Sequence, residues 1–403
     1  SLTGRCMRRS SRRNRYPMTS AARDPRSIRQ MPRSILAPLA LVMGVSVASF
    51  GVNRSLDASA SQAPIHAQAA SVGMVVISGL LLLASVSTFR DTVWLKRLVG
   101  IFFVLGCLRI ALALPPAGSL RSLSEESMGL VLPDGPLGSM FWTWLMALAF
   151  GQLVLNRSLS PAGRGGLLLT MAGAVYVTFI SGRDWLSGWL PGFIACLVIV
   201  FLWKPRWALL ALGVILFAIM LLWQPSGEHV LSPDNAYSLS TRTEAAAVLS
   251  KLALENPILG LGPANYYHLT QRHAIRGWYV KFSSHNNYID LFLQFGILGV
   301  TGFVWLLGST FLLAVRLRNG CFNSFERAFL YGAAGGLAGS MVAAALGDWV
   351  IPFVYNVGVA GFQTSILAWI WMGGVVALAA NLRCSANQLP ARPARGREYV
   401  GIR

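Results

Sequence analysis

Ten stretches of the chain are long, nearly uncharged and apolar: residues 35–51, 69–89, 98–114, 137–155, 165–180, 187–203, 207–223, 292–315, 328–347 and 363–381. A helix needs roughly 20 apolar residues to cross the hydrocarbon core of a bilayer. These runs also lack the ten-residue alternation of a barrel strand. The pattern predicts an all-α fold, a polytopic helical bundle of about ten spans. Most connections are short, but one outer segment, Gln224 to about Asn287, is long enough to expect a role of its own. The chain thus divides into a basic tail (1–34), spans one to seven (35–223), the large loop (224–287), spans eight to ten (288–381) and a second basic tail (382–403).

Inside the loop the pattern changes again. Thr241-Arg242-Thr243-Glu244 reads as a capping box, followed by Ala245, Val248, Leu249 and Leu252 at helical spacing and stopped by Asn256-Pro257. This predicts a short amphipathic helix lying at the outer membrane surface. Next come the turn-rich Ile258-Leu-Gly-Leu-Gly-Pro263 and an aromatic and basic run from Tyr266 to Lys281, which suits the headgroup layer. No repeat of fixed period and no matching pair of Gly/Pro-interrupted spans is visible, as a typical transporter would offer.

Composition narrows the class. Of 403 residues, 54% are hydrophobic and only 12% charged, which excludes soluble enzyme folds and a single-anchor protein. A net charge of +19 would point to nucleic acid in a soluble chain. Here most of the 34 Lys and Arg residues fall in segments that share one side of the bilayer when the N-terminus is cytoplasmic. The positive-inside rule then places both termini in the cytoplasm and makes nucleic-acid binding unnecessary. Arg109 alone among the basic residues lies inside a predicted span, where it can snorkel to the headgroups or contact a phosphate. The arginine-rich start leads into an apolar run without a small-residue cleavage site, so it reads as a basic tail and signal-anchor helix. Cys6, Cys107, Cys196, Cys321 and Cys384 all fall in inner segments or spans, and no disulfide is expected.

All five histidines, His66, His229, His268, His273 and His285, fall in outer segments, so candidate chemistry is sought there. His285 stands immediately before the eighth span in Ser284-His285-Asn286-Asn287-Tyr288, and a histidine near neutrality can take a proton from a sugar hydroxyl. The alternative is a polar residue at headgroup level with no chemistry. Arg183 sits in the short turn Ser181-Gly182-Arg183-Asp184-Trp185, where its planar fork suits a phosphate or pairs locally with Asp184. Arg242 opens the loop helix, whose free amides already favour an anion, or it pairs with Glu244 or a lipid phosphate. The outer acids form no Asp-x-Asp and no metal-ligand spacing, and neither a nucleophile elbow nor a Walker loop is present. What fits is a reaction whose leaving group is already activated and charged, such as a polyprenyl pyrophosphate sugar donor, stabilised by arginines without metal or cofactor.

Three landmarks together resemble the O-antigen ligase superfamily, which also holds O-antigen polymerases and O-linking oligosaccharyltransferases. They are Ser181-Gly-Arg183 at the end of a span, Arg242 followed by Asn256-Pro-Ile-Leu-Gly-Leu-Gly262, and His285-Asn-Asn-Tyr-Ile-Asp-Leu-Phe-Leu-Gln-Phe-Gly-Ile-Leu-Gly299. The resemblance covers roughly residues 165–315. It departs from the family pattern at Gln294, where Glu is common, at Ala246, where an aromatic is common, and in having ten spans where about twelve are usual. It implies a metal-independent, inverting transfer on the periplasmic face of the inner membrane, from an undecaprenyl-pyrophosphate-linked glycan to an acceptor hydroxyl of lipid A core sugar. A second lipid-linked glycan would be the acceptor for a polymerase, and a protein serine for an oligosaccharyltransferase. In that picture Arg183 and Arg242 bind the diphosphate and His285 positions or deprotonates the acceptor. Arg109, Asp184, Asn286, Asp290 and Asp348 are secondary candidates, and spacing does not select among Asp184, Asp290 and Asp348 for orienting His285 or the arginines.

Overall fold

The computed structural model describes residues 31–56, 62–114, 138–182, 185–209, 213, 244–275, 277–320 and 322–387. Among them the fold is all-α: α1 (Arg33–Leu56), α2 (Ile65–Thr88), α3 (Thr92–Ala113), α4 (Ser139–Leu155), α5 (Pro161–Val175), α6 (Leu186–Trp203), α7 (Asn287–Leu317), α8 (Ser324–Leu346) and α9 (Phe362–Asn387). A π-helical turn, Tyr176–Ser181, extends α5. The sole strand-like pairing among the described residues is a single bridge between Ile275 and Trp278.

Seven of these helices are long and apolar enough to cross a membrane, matching seven of the ten expected spans. Of the other three, residues 98–114 form most of α3, a 22-residue helix that carries Lys96, Arg97 and Arg109. Residues 137–155 form α4, at 17 residues shorter than an ordinary span. The stretch 207–223 lies almost wholly outside the described residues.

The bundle is built around α8. It packs against α6, α4 and α7, while α7 also packs on α1 and α9 on α2. The reason lies in the sequence of α8, whose Gly332, Gly335, Gly336 and Gly339 are all buried. A Cβ at Gly335 would come 2.5 Å from the carbonyl oxygen of Ala195, and one at Gly339 the same distance from that of Pro191. Helices in lipid gain little from the hydrophobic effect against one another, so such close backbone approach, through dispersion contacts, is what holds them. The large aromatics Trp144, Trp369, Trp371 and Phe329 fill the space that remains.

The eighth expected span begins earlier than the apolar pattern indicated and is broken. Asn286 caps α7, its side chain accepting from Tyr288 N at 2.9 Å and Ile289 N at 3.3 Å. Nine residues in, Gly296 adopts φ 66°, ψ −166° and interrupts the helix. A break frees backbone groups that must find partners away from water, and the large loop and α1 supply them. Leu261 N donates to Leu293 O at 2.7 Å, and Ile297 N donates to Pro257 O at 2.8 Å. Ala264 N donates to the Gln294 side chain at 3.0 Å, and Ser49 Oγ donates to Gln294 O at 2.9 Å. A Cβ at Gly296 would strike the Ile258 backbone, and one at Gly260, itself at φ 74°, would strike that of Gln294. Asn-Pro-Ile-Leu-Gly and Gln-Phe-Gly are therefore the two halves of one backbone joint.

The predicted loop helix is present over residues 244–253, but its apolar face turns to protein. Ala245, Leu249, Leu252 and Ala253 are buried, the last three in a second, smaller core with Tyr266, Leu293 and Phe353. The stripe covers the break in α7.

Candidate functional site

His285 occupies a tight polar turn just ahead of α7 and has φ 50°, a left-handed conformation that histidine tolerates better than most side chains. The turn is held by Ser284, whose Oγ donates to Asp290 Oδ1 at 2.7 Å and accepts from Asn286 N at 3.0 Å. Tyr266 OH also donates to Asp290 Oδ1. Tyr266 is fully buried and stacks on Phe353, centroids 4.8 Å apart. Burial first, and then the neighbouring Asp290, push its phenol well above the ordinary value, so it acts as a donor and stays neutral. Asp290 Oδ2 is buried without a hydrogen bond among the described residues.

The two asparagines that follow His285 tie this turn to the connection between α8 and α9, residues 347–361. Asn286 Nδ2 donates to Ala345 O at 3.0 Å. Asn287 Nδ2 donates to Ile351 O at 2.6 Å, while its Oδ1 accepts from Val350 N at 2.9 Å and Ile351 N at 3.3 Å. An asparagine side chain offers both donors and an acceptor, which lets one residue pin a strand-like backbone from the side. Asn286 caps α7 and holds the end of α8.

This connection carries Asp348, which is 1% exposed. Its Oδ2 accepts from Phe353 N at 2.7 Å and its Oδ1 from Asn356 Nδ2. The same Asn356 nitrogen lies 3.0 Å from His285 Nδ1. Burial raises the Asp348 pKa; the Phe353 amide, the Asn356 side chain and the nearby His285 work against that rise. Asn356 sits at the tip of a turn closed by Gly358 N on Phe353 O at 2.9 Å. Of the acids that spacing left undecided, Asp348 reaches His285 through Asn356, and Asp290 braces the turn on which His285 stands.

Arg183, Asp184 and Arg242 lie outside the described residues. The segments beside them are described. Trp185, two positions after Arg183, packs edge-on against Trp349, centroids 6.0 Å apart. The helix that begins at residue 244 docks by Leu249 and Leu252 into the core that contains Phe353. Trp349 and Phe353 both follow Asp348 in the chain, so Trp185 and the helix that begins at residue 244 both meet the connection that holds the His285 relay. Arg109 is half-buried near the end of α3, an element that packs against α4 and α5.

Sequence reasoning missed Asn356, Tyr266 and Ser284 as members of this site. Ser284 had a signal, its place beside His285 in a polar run before a helix. Asn356 had none, since a lone asparagine between two spans is ordinary.

Fold and site together define a multi-pass membrane protein with a polar histidine–amide–carboxylate cluster, held where a broken helix meets a large loop. A family model described as O-antigen ligase matches residues 144–304. Over 163 residues the chain is 30% identical to a protein described as O-antigen ligase from Salmonella typhimurium (strain LT2), covering 36% of this chain. That stretch is 39% of the relative's own length. Both matches point to the superfamily that the three landmarks resemble. The family match runs from α4 into α7 and ends before Asp348 and Asn356.

Proposed function

We propose that the protein is a glycosyltransferase of the O-antigen ligase type, moving a glycan from undecaprenyl pyrophosphate to a hydroxyl of lipid A core sugar. The transfer runs on the periplasmic face of the inner membrane, with both termini cytoplasmic, without metal, and with inversion at the anomeric carbon. Arg183 and Arg242 hold the diphosphate leaving group. Two guanidiniums preorganised in a partly dehydrated site offset the charge that develops as the sugar–oxygen bond breaks. His285 handles the acceptor hydroxyl.

The observation that carries this reading is convergence on one short segment. Trp185, two residues after Arg183, meets Trp349; the helix that begins two residues after Arg242 meets the core around Phe353; and His285 is tied through Asn356 to Asp348 in the same connection. The break in α7 supports an enzyme over a transporter: its freed backbone groups are occupied by the protein's own loop, whereas a carrier would offer them to substrate or ion.

The test is transfer from an undecaprenyl-pyrophosphate glycan to purified core lipid with a chelator present. Wild type should yield capped core, and His285→Ala, Arg183→Ala and Arg242→Ala should each lose it by about a hundredfold or more. Longer chains made only with a second lipid-linked glycan would assign a polymerase instead. Glycan on a protein serine would assign an oligosaccharyltransferase, and flux across vesicles with no new glycosidic bond a carrier.

A further inference from the structure

We propose that Asn356 is a positioning residue that fixes the ring proton of His285 on Nε2, so that the histidine meets its substrate as a hydrogen-bond donor rather than as a base. The catalytic consequence rests on the glycosyl-transfer reading above; the position of the proton does not.

Asp348 sets the orientation of the relay. Its carboxylate accepts from Phe353 N on Oδ2 and faces Asn356 on Oδ1. A carboxylate only accepts. The Asn356 amide must therefore turn its NH2 toward Asp348, because the opposite rotation would set two acceptor oxygens against each other. An amide rotation is assigned from just such a network. The same nitrogen stands 3.0 Å from His285 Nδ1. Having no lone pair to offer, it can only donate there, and Nδ1 must accept. A neutral imidazole that accepts at one nitrogen carries its proton on the other. The relay thus differs from a carboxylate placed directly on a histidine, which would hold the proton at Nδ1 and leave Nε2 basic.

The backbone reinforces the choice. The left-handed turn at His285, braced by Ser284 and Asp290, and the turn at Gly358 fix the ring and the amide from two separate elements. In the transfer itself, the acceptor oxygen forms its bond to the anomeric carbon as the bond from that carbon to the diphosphate oxygen breaks. The acceptor attacks from the face opposite the diphosphate, and its proton passes to water at the outer face, since His285 Nε2 already carries one. The histidine orients the reacting hydroxyl, and the diphosphate departs as an anion that needs no proton.

The experiment exchanges the two partners. In the full chain, Asp348→Asn together with Asn356→Asp keeps the size of both side chains and still offers an oxygen to Phe353 N. It places the carboxylate against His285 Nδ1. Protein labelled with nitrogen-15 histidine, its His285 signals assigned by their loss in His285→Gln, is measured at pH 8. The wild type should show the unprotonated nitrogen at Nδ1, and the exchange variant should show it at Nε2. Transfer by the variant should fall about tenfold in kcat while KM changes little, as expected when a bound group is turned and binding is kept. Asn356→Ala should lose the fixed tautomer and give signals of both. A wild-type ring protonated on Nδ1, or doubly protonated, overturns the proposal, as does a tautomer indifferent to the exchange. If the wild type has the expected tautomer yet transfers no glycan from any lipid-linked donor, the glycosyltransferase reading fails and the assignment of the proton stands.

Discussion

The contact of α8 with α4 and α6 and the contact of the large loop with α7 are both close backbone approaches, yet they are made in opposite ways. Around α8 the helices run unbroken, and glycine is used only to remove bulk. At the loop the helix is opened, and glycine is used for a conformation that other residues avoid, at φ 66° and φ 74°. The first contact is non-directional and tolerates sliding. The second is made of hydrogen bonds with fixed partners and sets a register. A bundle core needs only density, whereas a site needs atoms at fixed places, and the chain puts its broken helix and its buried amides there.

The sharpest way to break this contrast is Gly296→Ala. It asks alanine to adopt a left-handed φ and pushes a methyl into the Ile258 backbone, together about 4 kcal/mol. The loop should detach from α7 and transfer should vanish. Cleavage by protease within 256–265, read by mass spectrometry, checks it, and an uncut loop would refute the joint. Asn287→Ala comes next. It removes three hydrogen bonds to the α8–α9 connection and leaves two buried backbone amides and a carbonyl without partners, about 3 kcal/mol in all. Hydrogen exchange at 348–353 should rise sharply with α8 itself unchanged. Gly335→Val overfills the tight face of α8 and should cost about 2 kcal/mol. It should lower the midpoint of thermal unfolding in detergent while the residual folded protein keeps its activity, because it moves no group of the site.

The smallest effect concerns pH. His268 Nε2 lies 3.0 Å from Tyr355 OH beside the stacked Tyr267–Tyr355 pair. Burial, and then Lys281, hold its pKa below the usual histidine value. The unfolded loop therefore binds the proton more readily than the folded one. This contribution to stability is complete above the unfolded value and fades as pH falls through the usual histidine range toward the folded pKa. Between pH 7 and 5 the fluorescence of Trp278, exposed beside this region, should report modest loosening of the loop. His268→Gln should abolish that change, and an unchanged pH response in the variant would remove His268 as its cause.

Much of the bundle was legible beforehand because bilayer length and apolarity are properties of a local stretch. Seven expected spans appear as helices of spanning length, and the loop helix appears where its spacing placed it. The break at Gly296 was not legible. Leu291, Phe292, Leu293, Phe295, Ile297 and Leu298 run on as one apolar pattern, and hydrophobicity carries no record of a φ angle. Gln294 and Gly296 within that run were the available sign. The direction of the loop helix was lost for a related reason: an amphipathic stripe shows that something covers it, not whether the cover is lipid or protein.

For the site, the sequence by itself determined the chemistry on offer: a histidine immediately before a helix, with polar and acidic residues near it. Those are properties of single residues and their near neighbours. Only the tertiary structure decided that Asp348, rather than Asp290, reaches His285, and that it does so through Asn356. His285 and Asn356 are 71 residues apart. Which of many polar groups meet across such a distance is fixed by how the helices between them pack, and no local pattern encodes that.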